Sequence, residues 1–180
     1  LEHLVRALDE ARSSQNSLES HLVEWAGLFL PTLDLDIHRS LIASAVSNSS
    51  NLQELAAGLD VAAAEVALGS QEWSGLHSLA SSTVNMTDTV DRMEKSVREL
   101  TNTYLPSVSI LLGPLLAAKL CTAAHGRARM ARLPASTIQV LGAEKAFFLH
   151  LRQGTDPPKH GHIFQHPWIC RSPKGTRGPI

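Results

Sequence analysis

Aromatic side chains are scarce: four Phe, three Trp and one Tyr stand among 180 residues. A β-sandwich or barrel draws heavily on aromatic and β-branched residues, whereas this chain is rich in Ala, Leu and Ser, so helix is favoured. Cysteine is scarcer still. Cys121 and Cys170 cannot build a disulfide framework. The chain does not start with Met and opens on no charged-then-apolar leader, so it is expected to be a piece of a longer protein. Without a leader, the glycosylation-like triplets Asn48-Ser49-Ser50 and Asn85-Met86-Thr87 carry little weight. Charge is missing from residues 100–118, nearly a membrane-span length. Pro106, Gly113 and Pro114 interrupt that run, and Thr101, Asn102, Thr103, Ser107 and Ser109 would sit in lipid with it. A buried helix-turn-helix, with no membrane partner, is the expectation.

Catalytic motifs are missing as well. The chain holds no Gly-x-Ser-x-Gly elbow, no Walker loop and no Gly-x-Gly-x-x-Gly. Paired carboxylates for acid–base work are not available in its C-terminal third, where Glu144 and Asp156 are the acids. Glu144 beside Lys145 suggests a buried ion pair rather than chemistry. No catalytic residue and no cofactor is expected, and the chain reads as a non-enzyme.

What is present is a division of charge. Residues 1–118 carry 6 basic and 15 acidic side chains, a net of −9; residues 119–180 carry 10 basic and 2 acidic, a net of +8. Five of the nine histidines also fall in the second part. A basic segment of this kind suits a polyanion, and nucleic acid is the usual one, although a solvated basic face balancing an acidic one has the same composition.

The first thirty residues carry a heptad. Leu1, Leu4, Leu8, Ala11, Gln15, Leu18, Leu22, Trp25 and Phe29 follow steps of three and four, with Gln15 the polar exception. Pro31 ends or kinks this helix. A second seam reads Leu76, Leu79, Thr83, Met86, Val90, Met93, Val97, Leu100 and Tyr104, with Pro106 closing it. Two matched seams predict a long antiparallel coiled-coil hairpin over residues 1–105. Its interface would include Leu18, Leu22, Trp25, Val90, Met93 and Val97, and its long apolar stripes predict self-association. An ordinary four-helix bundle uses the same spacing. The joining stretch reads as helix over Leu33–Val46 and Leu52–Leu68.

Residues 106–180 have another texture. Apolar helices flank Gly113-Pro114 and end in Arg127, Arg129 and Arg132. Pro134 to Thr137 starts a further helix, whose free N–H groups suit phosphate, predicted to run unbroken through Ile138 to Leu151. A loop rich in Gly and Pro follows. Lys159, Arg171, Lys174 and Arg177 can neutralise phosphates; His160, Gln165 and His166 can donate to phosphate or base edges. Phe164 and Trp168 are the exposed aromatics on offer. Phe147, Phe148, Ile163, Phe164 and Ile169 read mostly as core. Imidazole and thiolate at His160, His162, His166 and Cys170 raise an alternative, a zinc-dependent enzyme. A purely protein-binding coiled-coil adaptor is another.

The stretch Leu133-Pro134-Ala135-Ser136-Thr137-Ile138-Gln139-Val140-Leu141-Gly142-Ala143-Glu144-Lys145-Ala146 resembles the signature of the Nop-domain family. So do Pro158-Lys159-His160-Gly161-His162-Ile163-Phe164-Gln165-His166-Pro167, the pair Arg177-Gly178 and, more weakly, Glu24-Trp25-Ala26-Gly27-Leu28-Phe29-Leu30-Pro31. This family comprises core proteins of box C/D ribonucleoproteins and a spliceosomal relative, and the loop is most similar to the archaeal version. The resemblance implies an all-α fold, a coiled-coil hairpin followed by a compact Nop module over 106–180. It implies a scaffold that docks on a kink-turn guide RNA already held by a small ribosomal-protein-like binder, in a complex that methylates ribose 2′-hydroxyls. Fibrillarin would be engaged through an N-terminal domain outside these residues. Carried over, the motif places Gln139, Glu144 and Lys145 near RNA and Ala146 and Phe147 near the small protein. The family's arginine after the motif is Leu149 here, and Arg152 is the substitute. The implied compartment is cytoplasmic in an archaeon and nucleolar in a eukaryote.

Overall fold

In the computed structural model every regular element is helical among the described residues, which are 1–65 and 68–176, with Leu35 and Asp36 described by backbone alone. The all-helical expectation holds. Contacts divide the chain into two units, residues 8–92 and residues 1–7 with 93–180. The two longest helices, α1 (Glu2–Gly27) and α4 (Ser70–Tyr104), contribute to both.

In the unit of residues 8–92, α1 and α4 run antiparallel. Trp25 lies over Gly75, where a Cβ would sit 3.0 Å from its ring. Ten residues toward the N-terminus of α1, Gln15 Nε2 donates to Thr87 Oγ1 at 3.0 Å. The polar seam residue therefore has a cross-helix partner, and the seam positions bracketing it, Ala11 and Leu18, are half-buried. Packing is deeper at one end. There α2 (Leu35–Asn48) and α3 (Leu52–Leu59) add Ile42, Val46, Leu55 and Leu59 to Leu22, Ala26, Leu30, Leu76 and Ala80. Hairpin and bundle thus coexist: a two-helix stretch opens into a four-helix core.

Two sequence expectations need correction in these helices. The helix predicted to reach Leu68 stops at Leu59, because Asp60 takes a left-handed conformation (φ 55°, ψ 44°). Its N–H bonds Ala57 O at 3.3 Å and that of Val61 bonds Ala56 O at 3.0 Å, closing the helix end as a Schellman motif does. The chain then runs past the end of α1, Ala62 N donating to Thr32 Oγ1 and Ala64 N to Phe29 O, both at 2.8 Å. The second correction concerns α4. Leu100 and Tyr104 are exposed, whereas Thr101 and Leu105 are buried. After Val97 the buried positions advance in steps of four, so the stripe slips one residue off the strict heptad.

In the other unit, α5 (Pro106–Leu112) and α6 (Pro114–Ala123) are bent by 118° at Gly113. No single helix among the described residues is long and apolar enough to cross a membrane. Leu105, Leu116, Leu120, Cys121, Ala124, Met130 and Leu141 form the core, with Leu112, Leu133 and Ile138 against it. Then come α7 (Arg127–Met130), α8 (Ala135–Val140), α9 (Glu144–Gln153), a 3-10 turn (His162–Gln165), α10 (Pro167–Cys170) and a last 3-10 turn (Lys174–Thr176). The predicted 134–151 helix is broken at Leu141–Ala143, where Gly142 has φ 87°.

Candidate ribonucleoprotein interface

The break between α8 and α9 is made by a crossing loop. Gly161 N donates to Gln139 O at 2.8 Å and His162 N to Leu141 O at 2.7 Å. In return Gln139 Nε2 donates to Lys159 O at 2.7 Å. The approach is so close that a Cβ on Gly161 would fall 1.9 Å from Leu141 O. A Cβ on Gly142 would fall 2.4 Å from the His162 ring. Real Cβ atoms do not come that near; Gly161 requires glycine because the atom it meets is fixed backbone, and Gly142 because of its φ of 87°. Residues twenty apart in sequence are thereby locked together, and α9 starts afresh beside the loop.

Glu144 sits in the first turn of α9, and its Oε1 accepts the Gly142 N–H at 3.0 Å. Glu144 and Lys145 are both exposed, so the expected buried ion pair is not formed. Lys145, in the first turn of α9, and Lys159, on the crossing loop, are both exposed. Ala146 and Phe147 follow on α9, with Phe148, Leu149 and Leu151 also exposed. Phe147 and Phe148 border a groove of about 430 Å³ with Ser136, Thr137, Val140, Leu141 and Glu144. The sequence reading of Phe147, Phe148 and Phe164 as core is corrected: each is exposed, while Ile163 is half-buried and Ile169 buried. The 143–151 run is apolar enough for a core, and only the family resemblance, which set Ala146 and Phe147 at a partner protein, pointed outward. Arg152, at the far end of α9, is exposed.

Along the loop, the His160 ring lies 6.0 Å from that of Phe164. His166 caps α10: its Nδ1 accepts the Trp168 N–H at 3.3 Å, and its ring meets Trp168 edge-on at 4.9 Å. Gln165, Arg171 and Lys174 are exposed, and Arg177 lies outside the described residues. Among the described residues no three His, Cys, Asp or Glu side chains converge as metal ligands, so His160, His162, His166 and Cys170 do not form the set that the zinc alternative needs. Burial pushes the Cys121 thiol up, with Glu2 adding to the effect. That favours an inert core cysteine over a nucleophile. Leu18 and Trp25 are half-buried and Leu22 and Val90 buried in the hairpin; Met93 is half-buried and Val97 buried in the other unit.

The Nop family profile, described as "snoRNA binding domain, fibrillarin", matches residues 8–180. The chain belongs to the Nop family. It is 32% identical to an uncharacterized NOP5 family protein of Methanocaldococcus jannaschii over 98% of this chain and 47% of that protein. It is 27% identical to nucleolar protein 56 of Bos taurus over 98% of this chain and 33% of that protein. Among solved structures, the crystal structure of a fibrillarin/Nop5p complex matches with a TM-score of 0.58 and 25% identity, over 99% of this chain and 51% of the other. The chain therefore spans about half the length, or less, of the Nop relatives it matches. The crossing of 139–142 by 159–162 lies within the matched Nop region.

Proposed function

We propose that this chain is a non-catalytic scaffold that binds a kink-turn guide RNA together with its small kink-turn-binding protein, in a box C/D ribose-methylating ribonucleoprotein. One observation supports the reading: the segments joined at the Gly142–Gly161 crossing carry two exposed chemistries. Lys145 and Lys159 offer cations to phosphate, and the exposed apolar Ala146 and Phe147 begin a surface fit for protein. A composite ligand, part RNA and part protein, satisfies both, whereas naked RNA leaves the phenyl ring in water. Gln139, Glu144, Gln165 and His166 orient the interface. Arg152, His160, Arg171, Lys174 and Arg177 extend it. Fibrillarin, named with the solved relative, would join through a part of the protein outside these residues. The compartment follows the host: nucleolar in a eukaryote, as the names of the eukaryotic relatives suggest, and cytoplasmic in an archaeon.

Paired substitutions test the reading. Phe147→Glu should lower the affinity for the protein-loaded RNA to no more than that for naked kink-turn RNA. Lys159→Ala should weaken both. Both should fold normally, since the side chains are exposed. Phe147→Glu with unaltered affinity for the composite would contradict the proposal.

A further inference from the structure

In the unit of residues 8–92, the end of α2 and the first turns of α4 border a cleft of about 410 Å³. Its walls are polar and uncharged. Asn48 and serines at 47, 49 and 50 come from one side, Trp73, His77, Ser74 and Ser78 from the other. His77 Nε2 bonds the Ser47 carbonyl at 3.0 Å and ties the two sides together. A carbonyl only accepts, so Nε2 carries the hydrogen, and Nδ1 is an acceptor on the neutral ring. Ser49 Oγ donates to Ala45 O and Ser78 Oγ to Ser74 O, both at 2.8 Å, which leaves their lone pairs open. Among the described residues, the hydroxyls of Ser47, Ser50 and Ser74, the Asn48 amide and the Trp73 indole N–H have no hydrogen-bond partner. Local structure does not call for them. Asn51 caps α3, its Oδ1 accepting the Glu54 N–H at 2.9 Å, and Glu54 Oε2 accepts the Ser50 N–H at 2.7 Å. At 47, 74 and 78 alanine would be the better helix former.

We propose that this cleft binds a free, neutral sugar. Its volume lies in the range of small-ligand sites, about 300–1,000 Å³. Hydroxyls and an amide match a ring that carries donors and acceptors around its edge. Half-buried Trp73 supplies the rest of the match: its indole joins an apolar body to one N–H, as a sugar joins C–H to O–H groups. Charge selects against other ligands. The unit carries 3 basic and 12 acidic side chains, a net of −9, and none of the cations, Arg12, Arg39 and Arg92, lines the cleft. A phosphate, and with it the ribose of an RNA chain, is repelled. A cation finds no carboxylate on the walls, since Glu54 and Glu72 accept backbone N–H groups instead. The site shares no residue with the surface proposed for RNA and protein and does not rest on that reading.

The test follows the indole N–H resonances of the isotope-labelled 180-residue chain during titration with glucose. The Trp73 resonance, identified by its loss in W73F, should shift saturably in the millimolar range, while those of Trp25 and Trp168 stay still. N48A/S74A should weaken binding about tenfold, the cost of two modest hydrogen bonds. Both residues are exposed, so the melting temperature of that variant should match the wild type. Glucose-6-phosphate should bind several-fold more weakly than glucose, and spermidine should leave the Trp73 resonance in place. Absence of a saturable shift at Trp73, equal shifts at all three tryptophans, unaltered affinity in N48A/S74A, or a shift with spermidine and not with glucose overturns the inference. None of these results bears on the RNA titrations, so the two readings fail separately.

Discussion

Lys159 and Gln165 share one loop and differ in physics. Both are exposed. Lysine supplies a mobile charge, so Lys159→Ala should weaken binding about equally across RNA sequences and reduce the log–log salt slope by somewhat under one. Gln165→Ala removes no charge and should leave the slope intact. If its amide is buried against RNA, the lost hydrogen bond costs about 1–3 kcal/mol. Titrations of both variants over a salt series separate these outcomes; equal slope changes would refute the division. The two glycines are the other decisive residues. Gly142→Ala should cost about 1–3 kcal/mol from the left-handed backbone alone. Gly161→Ala should cost at least as much, since its Cβ meets the immovable Leu141 carbonyl. Thermal melting reads both, and wild-type stability in either would show that the crossing is not tight. Cys121, buried and with its thiol pushed up, should resist iodoacetamide at pH 8 while the half-buried Cys170 reacts.

Asp60 sets where α3 ends, and its conformation carries a cost that glycine would not pay. Asp60→Gly should raise stability by about 0.5–1 kcal/mol, detectable as a higher denaturation midpoint. The same position shows what sequence could and could not reveal. Apolar spacing continues past Leu59 through Val61, Ala63 and Leu68, and those side chains do pack on the hairpin core. They reach it from an irregular segment, and periodicity cannot distinguish that from another helical turn. The seams on α1 and α4 were legible because solvent on one side and a partner helix on the other enforce the heptad. The slip at Leu100 and Tyr104 was not, because stepping by four is equally good helix. The break between α8 and α9 was hidden for a different reason. Gln139-Val140-Leu141 and Glu144-Lys145-Ala146 are both acceptable helix, and the interruption is stabilised by residues 159–162, twenty positions downstream. Motif resemblance pointed to the segment, but that Gly161 lies against Leu141 and Gly142 against His162 is a tertiary fact.

Over the whole molecule, charge and apolar surface are both divided. The acidic segment includes the hairpin; the basic segment carries the surface proposed to bind RNA and protein. Along the two-helix stretch of the hairpin, Leu18 and Met86 remain half-buried, and a pair of helices covers its own seam incompletely. Self-association there should be visible by sedimentation at micromolar concentration, and Leu18→Gln with Met86→Gln should abolish it without unfolding. By contrast, Leu22→Ala, in the four-helix core, should cost about 2–5 kcal/mol of stability. A monomer at all concentrations would limit the hairpin to an intramolecular role. The central claim is that the Nop surface reads RNA and protein together. It is tested most directly by the dissociation constants of the 180-residue chain for kink-turn RNA alone and for the same RNA loaded with the small kink-turn-binding protein, in one buffer. The account predicts that the loaded RNA binds at least tenfold more tightly, which corresponds to about 1.4 kcal/mol. Equal affinity for the two would contradict it.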